Sequence, residues 1–589
     1  MIGTGVRQLL RALCGILLAL VPLTAASSQD VVPPKAAVLT PGGINVADGS
    51  WVYSQIDLSM GPLTLERHVR GGSRQPNDPM FGSNFSSNFD IYVARTTGIN
   101  ANATNIVHIG NSASGNYAST SSGGLFANAD YGDAEKGRLA WTGTQYVYTD
   151  SSGTIYTFSA TISVGSVPFS AVTRRVERID FPDGRRQTFS YTAGAQPRLV
   201  EDSSGYAILF DYNGNGDVSA ACIFKRSETY VSTSSTCAGA ALKVTYTYTA
   251  VGSAYRLTNV TDVLGQTTSY YPCLKPPGYA SCTMTLGGRP LVSGQLSFYV
   301  TQTLADQGTW TVSGAFEQDG DGAILCADGN MHAIAFSPDG KGNIDGTFSN
   351  SSPRTLSDGL GQTTNYLFTG SVLTNPPINA SCNLYADGSM LNQAVYSEGD
   401  KYEAEYGGPF KSVTVEHQVP KGGGVAREKL YQYGNSCTVA PGTFQNCARP
   451  TGIRDPAGNW TNFTYAGHGG VLTEMAPAPA AGGARPLKVT TWIQRYAWLK
   501  SSSGALVQNL SFPVWVKNTE TVCQTVAGAS PAATCDPAAL QAVTTYEYGA
   551  SGTGQSLLVK GVVVTADGAS LRTCYGYDLN DRKIYETQP

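Results

Sequence analysis

Charge is scarce in this chain. Lys, Arg, Asp and Glu make up 14% of its 589 residues, and the formal net charge is −4. With no basic run and no basic excess, nothing points to nucleic acid as a partner. Histidine is scarcer still: 5 residues, scattered at His68, His108, His332, His417 and His468. No Gly-x-Ser-x-Gly elbow and no His-Glu-x-x-His pair accompanies them, so neither a hydrolytic triad nor a zinc helix has its sequence frame. Cysteines in C-x-x-C spacing are also missing, which argues against a metal site of the commonest kind. Amphipathic helical stretches are rare, and beyond the N-terminus no run reaches the ~18 apolar residues that span a bilayer.

The one apolar run stands at the start. Arg7 and Arg11 precede Leu13 to Leu20, and Ala25-Ala26-Ser27-Ser28 supplies small residues for cleavage. Residues 1–28 therefore read as a signal peptide, and the product as secreted, periplasmic or at the cell surface, with no transmembrane anchor beyond the signal. Cys14 lies inside the apolar run behind Arg11-Ala12-Leu13, which is not the setting of a lipid anchor.

What the chain does have is Gly, 67 residues of it, and Tyr, 32 residues, a mix that favours strands joined by short turns. It also has an internal repeat. An apolar residue leads into a turn that opens on Asp and closes on Gly, and an aromatic follows five residues after the Gly. The copies run through Asp150 and Gly153 to Phe158, Asp202 and Gly205 to Phe210, and Asp262 and Gly265 to Tyr270. Others run through Asp358 and Gly361 to Tyr366, and Asp455 and Gly458 to Phe463; a degenerate copy turns at Asp183-Gly184 and reaches Phe189. Asp can accept a backbone N–H two residues on, and Gly adopts positive φ without steric penalty. The pairs Phe189 and Tyr191, Phe210 and Tyr212, and Phe463 and Tyr465 share a strand face, with Thr, Gln and Ser on the other. Each unit is a hairpin that buries its aromatic face only by stacking on others.

Of the 12 cysteines, most lie close in pairs, as expected of local disulfides in an oxidising compartment. Cys222 and Cys237, Cys273 and Cys282, Cys437 and Cys447, and Cys523 and Cys535 are such pairs, and Cys326 and Cys382 make a longer one. Cys574 is left over, so its partner is expected beyond Pro589. Two stretches look like metal loops. Asp211-Tyr212-Asn213-Gly214-Asn215-Gly216 begins a calcium pattern, but position twelve is Cys222 rather than Glu. Asp319-Gly320-Asp321-Gly322 lacks a third ligand at the needed spacing. Both read as turns. Glu317 and Asp319 could be imagined as a glycosidase pair, but no spacing fixes their separation. No catalytic, cofactor or metal residue is assigned, and no cofactor is expected.

The organisation follows: an N-terminal β-rich domain over 29–135, hairpin repeats over 136–270, an insertion over 271–355, and further repeats with insertions over 356–589, the last breaking off in mid-unit. Stretches without the repeat, here called the cassette, occupy 271–355 and 367–452. The segment 466–560 holds an Ala/Pro/Gly-rich linker from Ala476 to Pro486 and strands expected at Thr491 to Leu499 and Leu506 to Val516.

The run Tyr577-Asp578-x-Asn580-x-Arg582 and the segment Arg256 to Gln266 resemble the Rhs/YD-repeat family, and Val46 to Arg67 with Phe81 to Asp90 looks like the domain that precedes such repeats. The resemblance covers about two-thirds of the mature chain, in pieces, and corresponds to the N-terminal part of the family's shells. It implies an all-β fold of tandem hairpins wound into a curved or spiral sheet, a partial shell. The family's shells, including insecticidal toxin-complex components, enclose a C-terminal toxic domain. Neither the self-cleavage motif nor a toxin domain is found here. The function expected is that of a secreted, non-enzymatic scaffold, with a C-terminal toxin domain or downstream polypeptide as partner. The alternative is a cell-surface adhesin that stacks surface glycans on exposed aromatics such as Tyr270 and Tyr366.

Overall fold

A computed structural model describes residues 54–271 and 390–588, each with breaks, and isolated strands between 284 and 385. The proposed signal peptide lies outside the described residues. So do Asp358, Gly361, the metal-like stretch at 319–322, and Cys273, Cys282, Cys326, Cys382, Cys437 and Cys447. Among the described residues every named element is a β-strand and every pairing is antiparallel. Among these residues no helix is long and apolar enough to cross a membrane.

Three architectural parts follow one another. Ser54–Met60, Leu63–Val69 and Phe85–Ser87 form a small three-stranded sheet. A first long ladder then runs from Ile91–Thr96 to Arg289–Val292. Within it, Ile91–Thr96 pairs with both Thr104–Ile109 and Ser170–Asp180, so the hydrogen bonding returns on itself. The result is not a simple closed barrel, because Arg186–Tyr191 takes over the same edge of Ser170–Asp180 and leads the sheet onward. A second sheet of 18 strands runs from Gln295–Leu296 to Lys583–Glu586.

The stretches 271–355 and 367–452 feed strands into that second ladder. Gly308–Ser313 pairs with Arg354–Ser357, and Thr363–Thr369 pairs with Met390–Val395. Small hairpins such as Trp498–Lys500 with Leu506–Gln508 stand off it. The two strands expected at Thr491 to Leu499 and Leu506 to Val516 are displaced outward: Pro486–Arg495 pairs along its whole length with Val514–Gln524. The segment between them leaves the sheet as the small hairpin.

The main core lies between the N-terminal sheet and the first ladder. Leu58, Met60, Leu63, Leu65, Phe81, Phe85 and Phe89 interlock with Phe158, Phe189, Ile208, Phe210, Val244 and Val260. Phe89 meets Phe189 and Phe210 edge-on at 6.0 and 6.2 Å. Two ion pairs are sealed inside: Arg67 with Asp57 at 2.9 Å and Arg175 with Asp90 at 2.7 Å. Tyr246 donates to the same Asp57 at 2.8 Å, tying the small sheet to the ladder. A buried pair of this kind needs such extra hydrogen bonds to offset desolvation.

One strand departs from the alternation read in the sequence. Tyr206–Tyr212 is buried on both faces at its start. Ile208 and Phe210 face the main core, while Ala207 and Leu209 join Leu199, Cys222, Val231 and Cys237 in a second cluster. The loop after Lys225 covers that face, and the Cys222–Cys237 disulfide fastens it. A polar outer face is not needed where a stapled loop excludes water.

Candidate functional site: the repeat unit and the seam between the sheets

The repeated turn has one geometry. At Asp150, carboxylate Oδ1 accepts from Ser152 N at 2.8 Å and Thr154 N at 3.0 Å. At Asp262 it accepts from Leu264 N at 2.9 Å and Gln266 N at 2.8 Å. Asp455 repeats this with Ala457 N and Asn459 N, and Asp202 with Ser204 N. The described closing glycines of these copies have positive φ: 86° at Gly153, 108° at Gly205, 79° at Gly265 and 88° at Gly458. The degenerate copy keeps this frame but moves its Asp by two places. Its turn opens on Phe181, with Asp183 one place before Gly184 and accepting from Arg185 N at 3.0 Å.

Gly265 and Gly184 make a useful contrast. A Cβ on Gly265 meets nothing within 4 Å, whereas one on Gly184 lies 2.5 Å from the Pro513 carbonyl oxygen. Gly265→Ala is expected to destabilise by backbone strain alone, about 1–2 kcal/mol. Gly184→Ala carries the same strain plus a clash at the junction between the sheets. Chemical denaturation of both variants checks the order; equal losses would contradict it.

The metal-like stretch at Asp211 belongs to this turn chemistry. Asn213 opens the turn, its side-chain oxygen accepting from Asn215 N at 2.9 Å and Asp217 N at 3.0 Å. Asp211 is engaged elsewhere, with Arg198 at 2.7 Å and Cys237 N at 2.8 Å.

The aromatic positions take two roles. Phe158 and Phe210 are fully buried, and Phe189 and Phe463 nearly so. Tyr270 and Tyr366 sit on paired strands, Thr267–Tyr271 and Thr363–Thr369. The second aromatic, two residues later, is a clamp that its pattern did not reveal. Tyr212 stands where the pairing to the following strand shifts register, and its hydroxyl donates to Pro197 O on the preceding strand at 2.6 Å. Tyr465 does the same to Pro450 O at 2.5 Å, and Tyr191 to Val176 O. Outside the cassettes Tyr248, Tyr433, Tyr548 and Tyr577 repeat it, donating to Val218, Val413, Lys517 and Val559. A bulge loosens the ladder to the following strand and adds twist; the hydroxyl holds the same strand end to the preceding strand, beyond the last backbone pair between them. The signal available in sequence was an aromatic-x-Tyr at a strand end. Tyr212→Phe is expected to lose about 0.5–1.5 kcal/mol, measured by denaturant unfolding, with the fold intact by circular dichroism.

The Cys523–Cys535 disulfide sits beside buried Met475 and Leu487 in the second sheet, and Cys574 is an unbonded, partly exposed thiol. The histidines are dispersed. His417 lies between Glu405 at 3.2 Å and Glu428 at 3.6 Å, and His68 lies 3.8 Å from Glu66. His108 is on Thr104–Ile109 and His332 on Met331–Ala333. Among the described residues no group of three or more His, Cys, Asp or Glu is placed to hold a metal ion.

The sheets meet along a seam. Turns of the first ladder receive the 497–515 segment: Trp515 N donates to Asp183 O at 2.8 Å and Lys500 N to Arg226 O at 2.7 Å. Asn509 Nδ2 donates to Ser203 O at 3.1 Å, and the Arg186 guanidinium lies over Phe512. Further along, the last turn of the chain docks. Asp578 opens it in the usual way, accepting from Asn580 N and Arg582 N at 2.9 Å. Its closing residue is Asp581, not Gly, at φ 62°. That carboxylate reaches Lys225 Nζ at 2.6 Å and Tyr206 Oη at 2.7 Å. Both charged side chains are nearly fully buried, at 4% and 3% exposure. Left-handed backbone at a non-glycine residue points to a role for the side chain; here the role is to join the end of the second sheet to the first.

No family model matches this chain, and no curated protein matches it. Solved structures do. One is a TcdB2–TccC3 structure without its hypervariable C-terminal region, 10% identical, with a TM-score of 0.25, covering 89% of this chain and 26% of that one. Another is a Tc holotoxin pore from Photorhabdus luminescens, 11% identical, TM-score 0.25, covering 94% of this chain and 37% of that one. A third is the N-terminal domain of the effector protein SpvB from Salmonella typhimurium, 11% identical, TM-score 0.21, covering 37% of this chain and 98% of that one. The chain thus spans about a quarter of the length of the first of these structures.

Proposed function

We propose that the chain is an exported, non-enzymatic β-scaffold, part of a shell that carries a toxic domain in competition between cells. The observation that carries this reading is the recurrence of one turn-and-clamp unit through two long ladders that dock on each other. Each unit uses its polar groups for architecture: Asp on its own backbone, as at Asp262, and Tyr on a neighbouring carbonyl, as at Tyr212. The first ladder is filled by the N-terminal sheet. In the second, Tyr402 and Tyr431 converge on Glu416 at 2.9 and 2.6 Å, Tyr431 buried and Tyr402 half-buried, on a face that an enclosed polypeptide could use.

The test is a fusion. A small, marginally stable reporter domain is joined after Pro589 and digested with protease, beside the free reporter. A scaffold that shields its cargo slows cleavage of the reporter about tenfold or more, since proteolysis follows access to the open state. Equal cleavage rates would reject the reading.

A further inference from the structure

The seam contains one titratable group that the scaffold does not otherwise use. His468 lies in the turn Ala466–Gly470, closed by Ala466 N to Gly470 O at 2.7 Å. Its ring stacks on Trp515 with centroids 4.5 Å apart and planes 12° apart, and it meets Trp492 edge-on at 5.2 Å. Trp515 is the residue whose backbone N–H reaches across to Asp183 O of the first ladder. The neighbouring Gly469 is buried so close that a Cβ there would lie 3.4 Å from Pro182 of the same turn. His468 is therefore packed into the joint between the sheets. Its Nδ1 is buried without a hydrogen-bond partner.

We propose that this joint is acid-labile, with protonation of His468 separating the second sheet from the Phe181–Arg185 turn of the first. The charged groups facing the ring are few. From the first ladder come Asp183 and Arg185, already paired with each other at 2.6 Å. From its own sheet comes Arg449, which donates to Gly469 O and lies over Tyr465. An imidazolium in this place has an orphaned N–H and a guanidinium nearby, and the one carboxylate is committed. Burial holds the imidazole below its ordinary 6.5; its own backbone and Asp183 oppose that shift, and Arg449 adds to it. The sign is then fixed. With the seam open the ring takes up its proton near 6.5, and with the seam closed only at lower pH. The closed seam is fully stable above that value and weakens as pH falls through it.

The experiment uses the full chain labelled with 5-fluorotryptophan, the Trp492 and Trp515 signals being assigned from Trp492→Phe and Trp515→Phe. Fluorine spectra are recorded from about pH 7.5 to about pH 5, the range in which histidine switches charge, with and without a soluble paramagnetic agent. The expected result is a Trp515 signal that shifts with acid and becomes broadened by the agent, while His468→Phe, which keeps the stack without the proton, shows neither change. His468→Gln supplies a second neutral control should the Phe variant fold poorly. No shift in the native chain, the same shift in the neutral variants, or a shift without gain of access would each overturn the proposal.

Discussion

Asp581→Asn will release the last hairpin from the first ladder. The substitution keeps the shape and removes the charge, leaving the Lys225 ammonium buried without its partner. Breaking a buried pair from one side destabilises by about 3–5 kcal/mol, and Tyr206 loses the charged acceptor of its hydroxyl in the same step. The loss will fall on the docking of residues 575–588 before it reaches the rest of the fold, because this pair joins them to Lys225. Hydrogen exchange read by segment, with urea unfolding, measures it. A companion variant separates charge from strain. Asp581→Gly relieves a backbone held at φ 62°, worth roughly 1–2 kcal/mol, yet still strands Lys225. Asp581→Gly combined with Lys225→Met removes both the strain and the orphaned charge, and should recover most of the stability. If Asp581→Asn leaves exchange in the last hairpin unchanged, the pair is not what holds it.

Phe89→Ala should have the second large effect. Phe89 is 2% exposed and fits between Phe189 and Phe210, the aromatic positions of two successive repeats. Truncation there removes the transfer energy of the ring and leaves a cavity lined by side chains that sit on rigid strands and cannot collapse inward, a loss of about 3–5 kcal/mol. Because Phe89 comes from the N-terminal part and its partners from the repeats, the variant will loosen the packing between the two. Calorimetry or denaturant unfolding gives the magnitude, and a drop in the protection of strand Arg186–Tyr191 gives the place. A loss below about 1 kcal/mol, the size of an ordinary surface substitution, would show that this interface is not a tightly packed core.

Several features were legible from residues alone. Asp followed by Gly three positions on defines a local turn, because both requirements, a side-chain acceptor for nearby N–H groups and a residue tolerant of positive φ, are satisfied within five residues. That is why Asp150, Asp262 and Asp455 turn as read, and why the chain is all-β. The proximity of Cys222 to Cys237 and of Cys523 to Cys535 is local in the same sense, and the structure joins both pairs. That the Phe181–Arg185 turn opens on Phe181, with its Asp two places later than in the other copies, was not legible, since an Asp beside the Gly can also accept a nearby backbone N–H.

Other features have no local cause. Tyr212 and Tyr465 read as packed aromatics; their hydroxyl acceptors, Pro197 and Pro450, are each 15 residues away in sequence and are brought near only by strand register. The burial of Tyr206–Tyr212 on both faces depends on a loop folding over it. Asp581 looks like a defect in the repeat until Lys225, 356 positions earlier, is seen against it, and His468 looks like a stray turn residue until Trp515 and Asp183 close around it. Sequence by itself determined the repeat, its turns and its strand-rich class, because those rest on backbone preferences and spacings of a few residues. The tertiary structure decided which faces are filled, where the two sheets join and which charged groups are sealed in that joint, because burial and ion pairing depend on segments hundreds of residues apart arriving at one place.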